Sequence, residues 1–248
     1  MLYVCVAAHN HGTTVGLLLW RVRQVFTAFP REYQLVVADD GSTDATREVL
    51  GVYQRALPLT VLRATRPEGY AASVQHLLRE CLRRTDRPKR DAALLLPADF
   101  SVAPETLPDL VRRLESGADL VIGELASNRA PLLLRLVRRS APWLLRPGLS
   151  VPGVKDLFSG CYALRLSTLK RLMPEHDPLL HTDGWCANAE LVARIAAAAR
   201  QIAAVPVAPG KVRTHHPLPR PAPLAWAMIQ AGRRLRIPKP TAPVERTA

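Results

Sequence analysis

The sequence predicts an α/β fold, with a mixed, mostly parallel central sheet flanked by helices. Three observations predict it. Short apolar, β-branched runs alternate with longer stretches whose apolar residues recur at helical spacing, as in βαβ units. The central run, Leu35-Val36-Val37-Ala38, is continuously apolar, which suits a strand buried on both faces. Several runs end abruptly on polar residues, namely His9-Asn10, Asp39-Asp40 and Asp99. Parallel strands bring their carboxyl ends to one edge, where open α/β sheets bind ligands. These residues, tens of positions apart, are therefore expected to share one crevice.

Leu2–Ala8 reads as the first strand and His9–Gly12 as its turn. Thr13–Phe29 carries a helical pattern through Val15, Leu18, Leu19, Val22, Val25 and Phe26, and Pro30 ends it. Tyr33–Ala38 is the next strand. Two adjacent carboxylates, Asp39 and Asp40, are costly to bury without partners. Gly41 permits a tight turn after them, and Ser42, Thr43 and Asp44 are N-cap candidates for a helix over Asp44–Arg55. Leu59–Ala64 is a strand, and Glu68-Gly69-Tyr70 leads into a helix over Ala71–Arg84. Asp91–Leu96 is a strand that runs into Pro97-Ala98-Asp99-Phe100. A helix over Pro104–Glu115 and a strand over Asp119–Gly123 follow.

The second half is less regular. Pro131–Arg146 mixes Leu, Val and Trp with arginines, and Pro142 is expected to kink or split it. It reads either as an ordinary amphipathic surface helix or as a basic helix lying on a membrane interface. Tyr162–Leu166 is a strand, Thr168–Leu172 a helix, Trp185–Arg200 the clearest helix of this half, and Ile202–Val207 a closing strand. Residues 1–213 are expected to form the folded domain. Residues 214–248 are Pro-rich and basic, and read as a mobile tail with a short amphipathic helix near Leu224–Ile237.

Composition bounds the function. The 248 residues are 48% hydrophobic, enough for a large core and against general disorder. Lys and Arg outnumber Asp and Glu by 34 to 21, a formal charge of +13 that favours anionic partners. No zinc-finger, RRM or homeodomain pattern accompanies the charge, so nucleic acid is not the expected partner. Cys5, Cys81, Cys161 and Cys186 are scattered without a C-x-x-C, so neither disulfides nor a zinc framework is expected, and a reducing compartment fits. His176, His181, His215 and His216 lack a chelating helical spacing. The first strand has no basic leader, and no apolar run reaches the length of a membrane span. A cytoplasmic protein, peripheral on the cytoplasmic membrane face, is expected. The Arg- and Ala-rich usage suits a GC-rich bacterial genome.

The ordered set VVADDGSTDAT (Val36–Thr46), LLLPADFSVAPETLPDLV (Leu94–Val111), ADLVIGE (Ala118–Glu124), KDLFSGCYALRLSTL (Lys155–Leu169) and ELVARIAAAARQIAAVPV (Glu190–Val207) resembles the GT-A family 2 glycosyltransferases, most closely the polyprenyl- or dolichyl-phosphate sugar synthases. The resemblance implies a GT-A, Rossmann-like nucleotide-diphospho-sugar transferase fold. It implies a GDP- or UDP-sugar donor, a divalent cation (Mg²⁺ or Mn²⁺), and a polyprenyl phosphate or other anionic acceptor at a membrane surface. Asp39 and Asp40 match the acidic pair that holds base and ribose. His9 stands where the family usually has Tyr, and Asn10 matches its Asn; Ala8, Gly69 and Ala98 lie beside them along the donor site. Asp99 matches the second acid of the D-x-D metal motif and is the one expected metal ligand there. Asp156, Ser159 and Gly160 match the D-x-x-S-G segment beside the acceptor phosphate, and Arg129, Arg139 and Arg213 match basic residues that hold phosphates. Asp99, Asp156 and Asp183 are the expected catalytic carboxylates.

The chemistry agrees with this set. A hard cation with oxygen ligands neutralises a departing diphosphate. A lipid phosphate is already anionic and needs no base, so positioning and charge neutralisation carry an inverting attack. A hydroxyl acceptor needs a base, for which Asp183 is the candidate; Asp183 also reads simply as the N-cap of the helix after it. The sequence departs from the family at three places. Pro97 replaces the first D-x-D acid, the G-x-R strand ending reads Gly123-Glu124-Leu125, so a phosphate-side Arg is missing and an acid is present, and His9 replaces Tyr. A transferase with a soluble hydroxyl acceptor and a non-catalytic nucleotide-sugar binder therefore stay open beside the lipid-phosphate reading.

Overall fold

The computed structural model describes residues 1–125, 132–146, 148–149, 151–173, 177–210 and 220–246. Its strands are β1 (Leu2–Ala8), β2 (Tyr33–Asp39), β3 (Leu59–Arg63), β4 (Ala92–Leu95), β5 (Leu120–Leu125), β6 (Tyr162–Arg165), β7 (Ile202–Val207) and β8 (Val244–Arg246). They form one sheet in the order β3-β2-β1-β4-β6-β5-β7-β8. β6 is antiparallel to both β4 and β5, and the other pairings are parallel. The helices are α1 (Val15–Ala28), α2 (Thr46–Tyr53), α3 (Tyr70–Arg84), α4 (Leu107–Glu115), α5 (Leu132–Leu144), α6 (Leu166–Leu172), α7 (Gly184–Ala198) and α8 (Pro221–Arg234).

Successive side chains of a strand point to opposite faces, so the buried strands feed two apolar layers. Val4, Val6, Leu35 and Val37 pack with α1, α2 and α4. Tyr3, Cys5, Val36 and Ala38 pack with α3, α6, α7 and parts of α5 and α8. The register Ala8–Asp39–Arg63 aligns the carboxyl ends of β1, β2 and β3 on one edge. All four cysteines are buried and free; burial pushes Cys161 up to about 12 and Cys186 up to about 11, so both thiols stay protonated and inert.

Several expectations are corrected. Pro104–Glu115 is not one helix: Pro104–Thr106 is a 3-10 turn, and α4 starts at Leu107 with Pro108 in its first turn, where the missing N–H costs nothing. Pro142 does not split α5, because it lies in the last turn and removes at most a terminal bond. The expected mobile tail is, over 220–246, part of the fold. Leu224, Met228 and Ala231 of α8 are buried in the layer shared with α5 and α7. β8 pairs with β7, which would otherwise leave an open sheet edge. Among the described residues no helix is long and apolar enough to cross a membrane.

Candidate active site

The turn after β1 and the loop after β2 are stitched together. His9 donates from Nδ1 to the Asp40 carbonyl at 2.6 Å, and Asn10 Nδ2 lies 3.2 Å from His9 Nε2. Since a carbonyl only accepts, Nδ1 carries the proton and Nε2 accepts. Asn10 sits at φ 57°, a left-handed conformation that Asn tolerates. Its Oδ1 accepts the N–H groups of Thr43 and Asp44. Ser42, Thr43 and Asp44 do not cap α2 in the expected way, since the N-cap is Ala45 and has no side-chain bond. Asp44 instead binds Gly12 N–H and Thr46. Burial alone would raise its pKa, but these bonds hold it below the ordinary carboxylate value.

Asp39 and Asp40 are both buried. Asp39 Oδ1 accepts Ser42 N–H at 3.1 Å. Asp40 spends both oxygens on the loop after β3, accepting Glu68 N–H at 2.7 Å and Gly69 N–H at 3.0 Å. Its role here is to fix that loop. A cavity of about 330 Å³ opens beside this edge, lined by Asp39, Asp40, Leu62, Arg63, Glu68 and Ser73 among others. It is large enough for a small ligand fragment and mixes apolar walls with a few convergent polar groups.

From Gly69 the site continues without a break. Asp183 Oδ1 accepts Ala71 N–H at 2.8 Å, so Asp183 caps α3 and makes no side-chain cap for α7, whose N-cap residue it is. Tyr70 donates to Asn188 Oδ1 at 2.8 Å. Burial pushes the Tyr70 hydroxyl well above the ordinary phenol value; the Asn188 bond opposes the rise, and the nearby charges of Asp99 and Asp183 add to it. These two carboxylates therefore face one neighbourhood. Gly160, at φ 68°, packs against Pro97: a Cβ there would lie 3.1 Å from Pro97 Cγ. Ala98 is buried, and its carbonyl accepts Thr14 Oγ1 at 2.9 Å. Phe100, buried at φ 57°, holds the unusual turn after Asp99.

Asp99 is half-buried, and its Oδ1 accepts Ser101 N–H at 2.8 Å. Among the described residues its second oxygen accepts no hydrogen bond. Among the described residues no group of three His, Cys, Asp or Glu side chains could hold a metal. The donor set fits a hard cation held by one carboxylate and completed by diphosphate oxygens and water. Among the described residues it does not fit a cation held by protein alone.

On the other side, Asp156 and Ser159 are buried. Asp156 accepts Arg138 Nη2 at 2.9 and 3.0 Å and Phe158 N–H at 2.9 Å. The Arg138 guanidinium lies 5.2 Å from the Trp185 ring centroid, a cation–π contact. Ser159 Oγ accepts Cys161 N–H. Arg139 is exposed on α5. Arg129 and Arg213 lie outside the described residues. Three contributors escaped the sequence reading. Tyr70 stands at a helix start with no motif to mark it, and Arg138 is the sequence neighbour of Arg139. Glu190, 0% exposed, accepts His181 N–H, Thr182 N–H, Thr182 Oγ1 and Arg194, and so fixes the turn that carries Asp183. Its signal was a lone acid inside an apolar helix.

Comparisons with known proteins identify the family. The family model described as Glycosyl transferase family 2 matches residues 3–167. A dolichol-phosphate mannosyltransferase of Pyrococcus furiosus is 28% identical over 65% of this chain and 45% of its own length. A dodecaprenyl-phosphate galacturonate synthase of Rhizobium johnstonii is 28% identical over 55% of this chain and 39% of its own. The matches thus span under half of these relatives. The crystal structure of glucosyl-3-phosphoglycerate synthase from Mycobacterium tuberculosis in complex with Mn²⁺, UDP and phosphoglyceric acid superposes with a TM-score of 0.65 at 21% identity, covering 95% of this chain and 79% of that one, which shows a shared GT-A fold. With the acidic strand ends on one edge and the family match running through two thirds of its residues, this chain belongs to glycosyl transferase family 2.

Proposed function

We propose that the protein transfers a sugar, with inversion, from a GDP- or UDP-sugar to a polyprenyl phosphate at a membrane surface. One observation carries the reading: the cavity at Asp39 and Asp40 lies on the same sheet edge as Asp99 and the buried Asp156–Ser159 segment, and α5 beside that segment exposes Leu133, Leu136 and Trp143. The names of the relatives point to lipid-phosphate acceptors, and the M. tuberculosis synthase binds Mn²⁺ with UDP. In this reading Asp39 holds the nucleoside, and Asp40 and Asn10 rigidify the loops around it. Asp99 holds Mg²⁺ or Mn²⁺, which when bound supplies Lewis-acid neutralisation of the leaving diphosphate. The Asp156–Ser159–Gly160 loop, with Arg129, Arg139 and Arg213, receives the acceptor phosphate. Trp143 of α5 and Trp226 of α8 are both exposed, and both helices carry arginines, the composition of a face that lies on anionic lipid.

A hydroxyl acceptor is the second reading. It is favoured by Asp183, which shares the surroundings of Tyr70 with Asp99 and would serve as base. Thermal unfolding with UDP, GDP and their sugars, with and without Mn²⁺, tests the donor site first. A ligand at a hundred times its Kd should stabilise by about 2.7 kcal/mol. Transfer to polyprenyl phosphate that survives Asp183→Asn supports the lipid reading, and its loss with donor binding intact supports the hydroxyl reading. No nucleotide-dependent shift at all would leave a non-catalytic relative.

A further inference from the structure

The C-terminal strand reaches the acceptor side through one residue. Glu124, at the end of β5, is largely buried, with 14% of its side chain exposed. Its Oε1 accepts Lys155 N–H at 2.6 Å and Arg246 Nη2 at 3.2 Å. Arg246 also donates to the Gly153 carbonyl. On the same face of β8, Val244 packs on Gly153, where a Cβ would lie 3.2 Å from Val244 Cβ. On the other face, Gln201 Nε2 holds Glu245 at 3.1 Å. The next residue of β5, Leu125, donates to Asp156 Oδ2 at 3.4 Å. Residues 124–125 and 246 thus grip the start of the loop that runs through Asp156 and Ser159 to Gly160.

We infer that Arg246 is a positioning residue: through Glu124 and the Gly153 carbonyl it clamps the 153–160 loop in the conformation that presents Asp156, Ser159 and Gly160 to the acceptor. The strand ending Gly123-Glu124-Leu125 carries an acid and no arginine of its own, and the fold brings a guanidinium to that carboxylate from β8. A carboxylate this buried is costly to leave alone, so the strand and the loop are held as one unit. The effect on the acceptor rests on the proposed transferase function; the clamp itself does not.

Hydrogen exchange of the 248-residue chain tests the clamp directly. In Arg246→Ala the amides of Lys155, Phe158 and Gly160 should exchange roughly tenfold to a hundredfold faster, the range of a lost charge-assisted hydrogen bond. Protection in α1 and β1 should be unchanged. Arg246→Lys, which keeps the charge, should recover part of the protection. Glu124→Gln, which can still accept Lys155 N–H, should loosen the loop less than Arg246→Ala. Unchanged exchange at 153–160 in Arg246→Ala overturns the inference, whatever the activity. In transfer assays the acceptor KM should rise while the donor-induced thermal shift stays the same. Equal losses of donor and acceptor binding overturn the positioning role. If wild-type protein transfers nothing to any lipid phosphate yet the loop loosens as described, the clamp stands and the proposed function is what fails.

Discussion

Gly69→Ala probes the joint between the donor loop and α7. Gly69 has φ 98° and ψ 164°, a region occupied essentially by glycine, so Ala there carries about 1–3 kcal/mol of backbone strain. Its Cβ would stand 2.7 Å from Asp183 Oδ2. The carboxylate must then leave the Ala71 N–H that it holds at 2.8 Å, and a lost cap of this kind costs about 1 kcal/mol. With strain taken at about 2, the single variant should lose about 3 kcal/mol. Asp183→Ala alone should lose only the cap, about 1 kcal/mol. In the double variant the added methyl has nothing to displace, so the total should stay about 3 rather than the additive 4 kcal/mol, a coupling of about 1 kcal/mol. Urea denaturation of the four proteins, compared by midpoint at constant slope, measures this cycle. Additivity within about 0.5 kcal/mol would refute the Gly69–Asp183 contact. A Gly69→Ala loss below about 1 kcal/mol would refute the strained backbone.

Glu190→Gln should cost about 2–3 kcal/mol at neutral pH by breaking a buried, multiply bonded carboxylate. Burial alone would raise the Glu190 pKa, yet its bonds to the His181 and Thr182 amides, Arg194 and Thr182 hold it below the ordinary value. Its stabilisation is therefore present above the usual Glu pKa and is lost as pH falls through the lower folded value, so urea midpoints of wild type and variant should converge in acid. Arg138→Ala should cost about 3 kcal/mol by stranding Asp156, whereas exposed Arg139→Ala should stay within about 0.5 kcal/mol, both read by thermal unfolding. Asp99→Asn should remove the Mn²⁺-dependent part of any nucleotide-induced thermal shift and leave the metal-free part. Trp143→Ala with Trp226→Ala should weaken binding to anionic-lipid vesicles by roughly tenfold or more in a flotation assay, while neutral vesicles show weak binding throughout.

The two halves of the site were legible to different degrees. β1 and β7 fall at the residues their apolar runs indicated, and on the donor side β2 extends one residue further, to Asp39. The polar residues closing β1, β2 and β4 share an edge because parallel strands leave no other arrangement. On the acceptor side, α5 gave two adjacent arginines, and the sequence pointed to Arg139. Successive helical residues are rotated by about 100°, and only the packing of α5 shows that Arg138 is the one turned toward Asp156. The antiparallel insertion of β6 between β4 and β5 was equally hidden, since a strand's direction leaves no mark on its composition.

By itself the sequence determined the fold class, the family and the identity of the carboxylates at the strand ends. These follow from local periodicity and from residue types at fixed short spacings. The tertiary structure alone decided which groups those carboxylates serve. Asp40 fixes the loop at Gly69, Asp183 caps a helix that begins 113 residues before it, and Glu124 finds Arg246 across 122 positions. A carboxylate accepts from whatever donor packing brings within about 3 Å, and distant segments are brought together by the burial of their apolar faces.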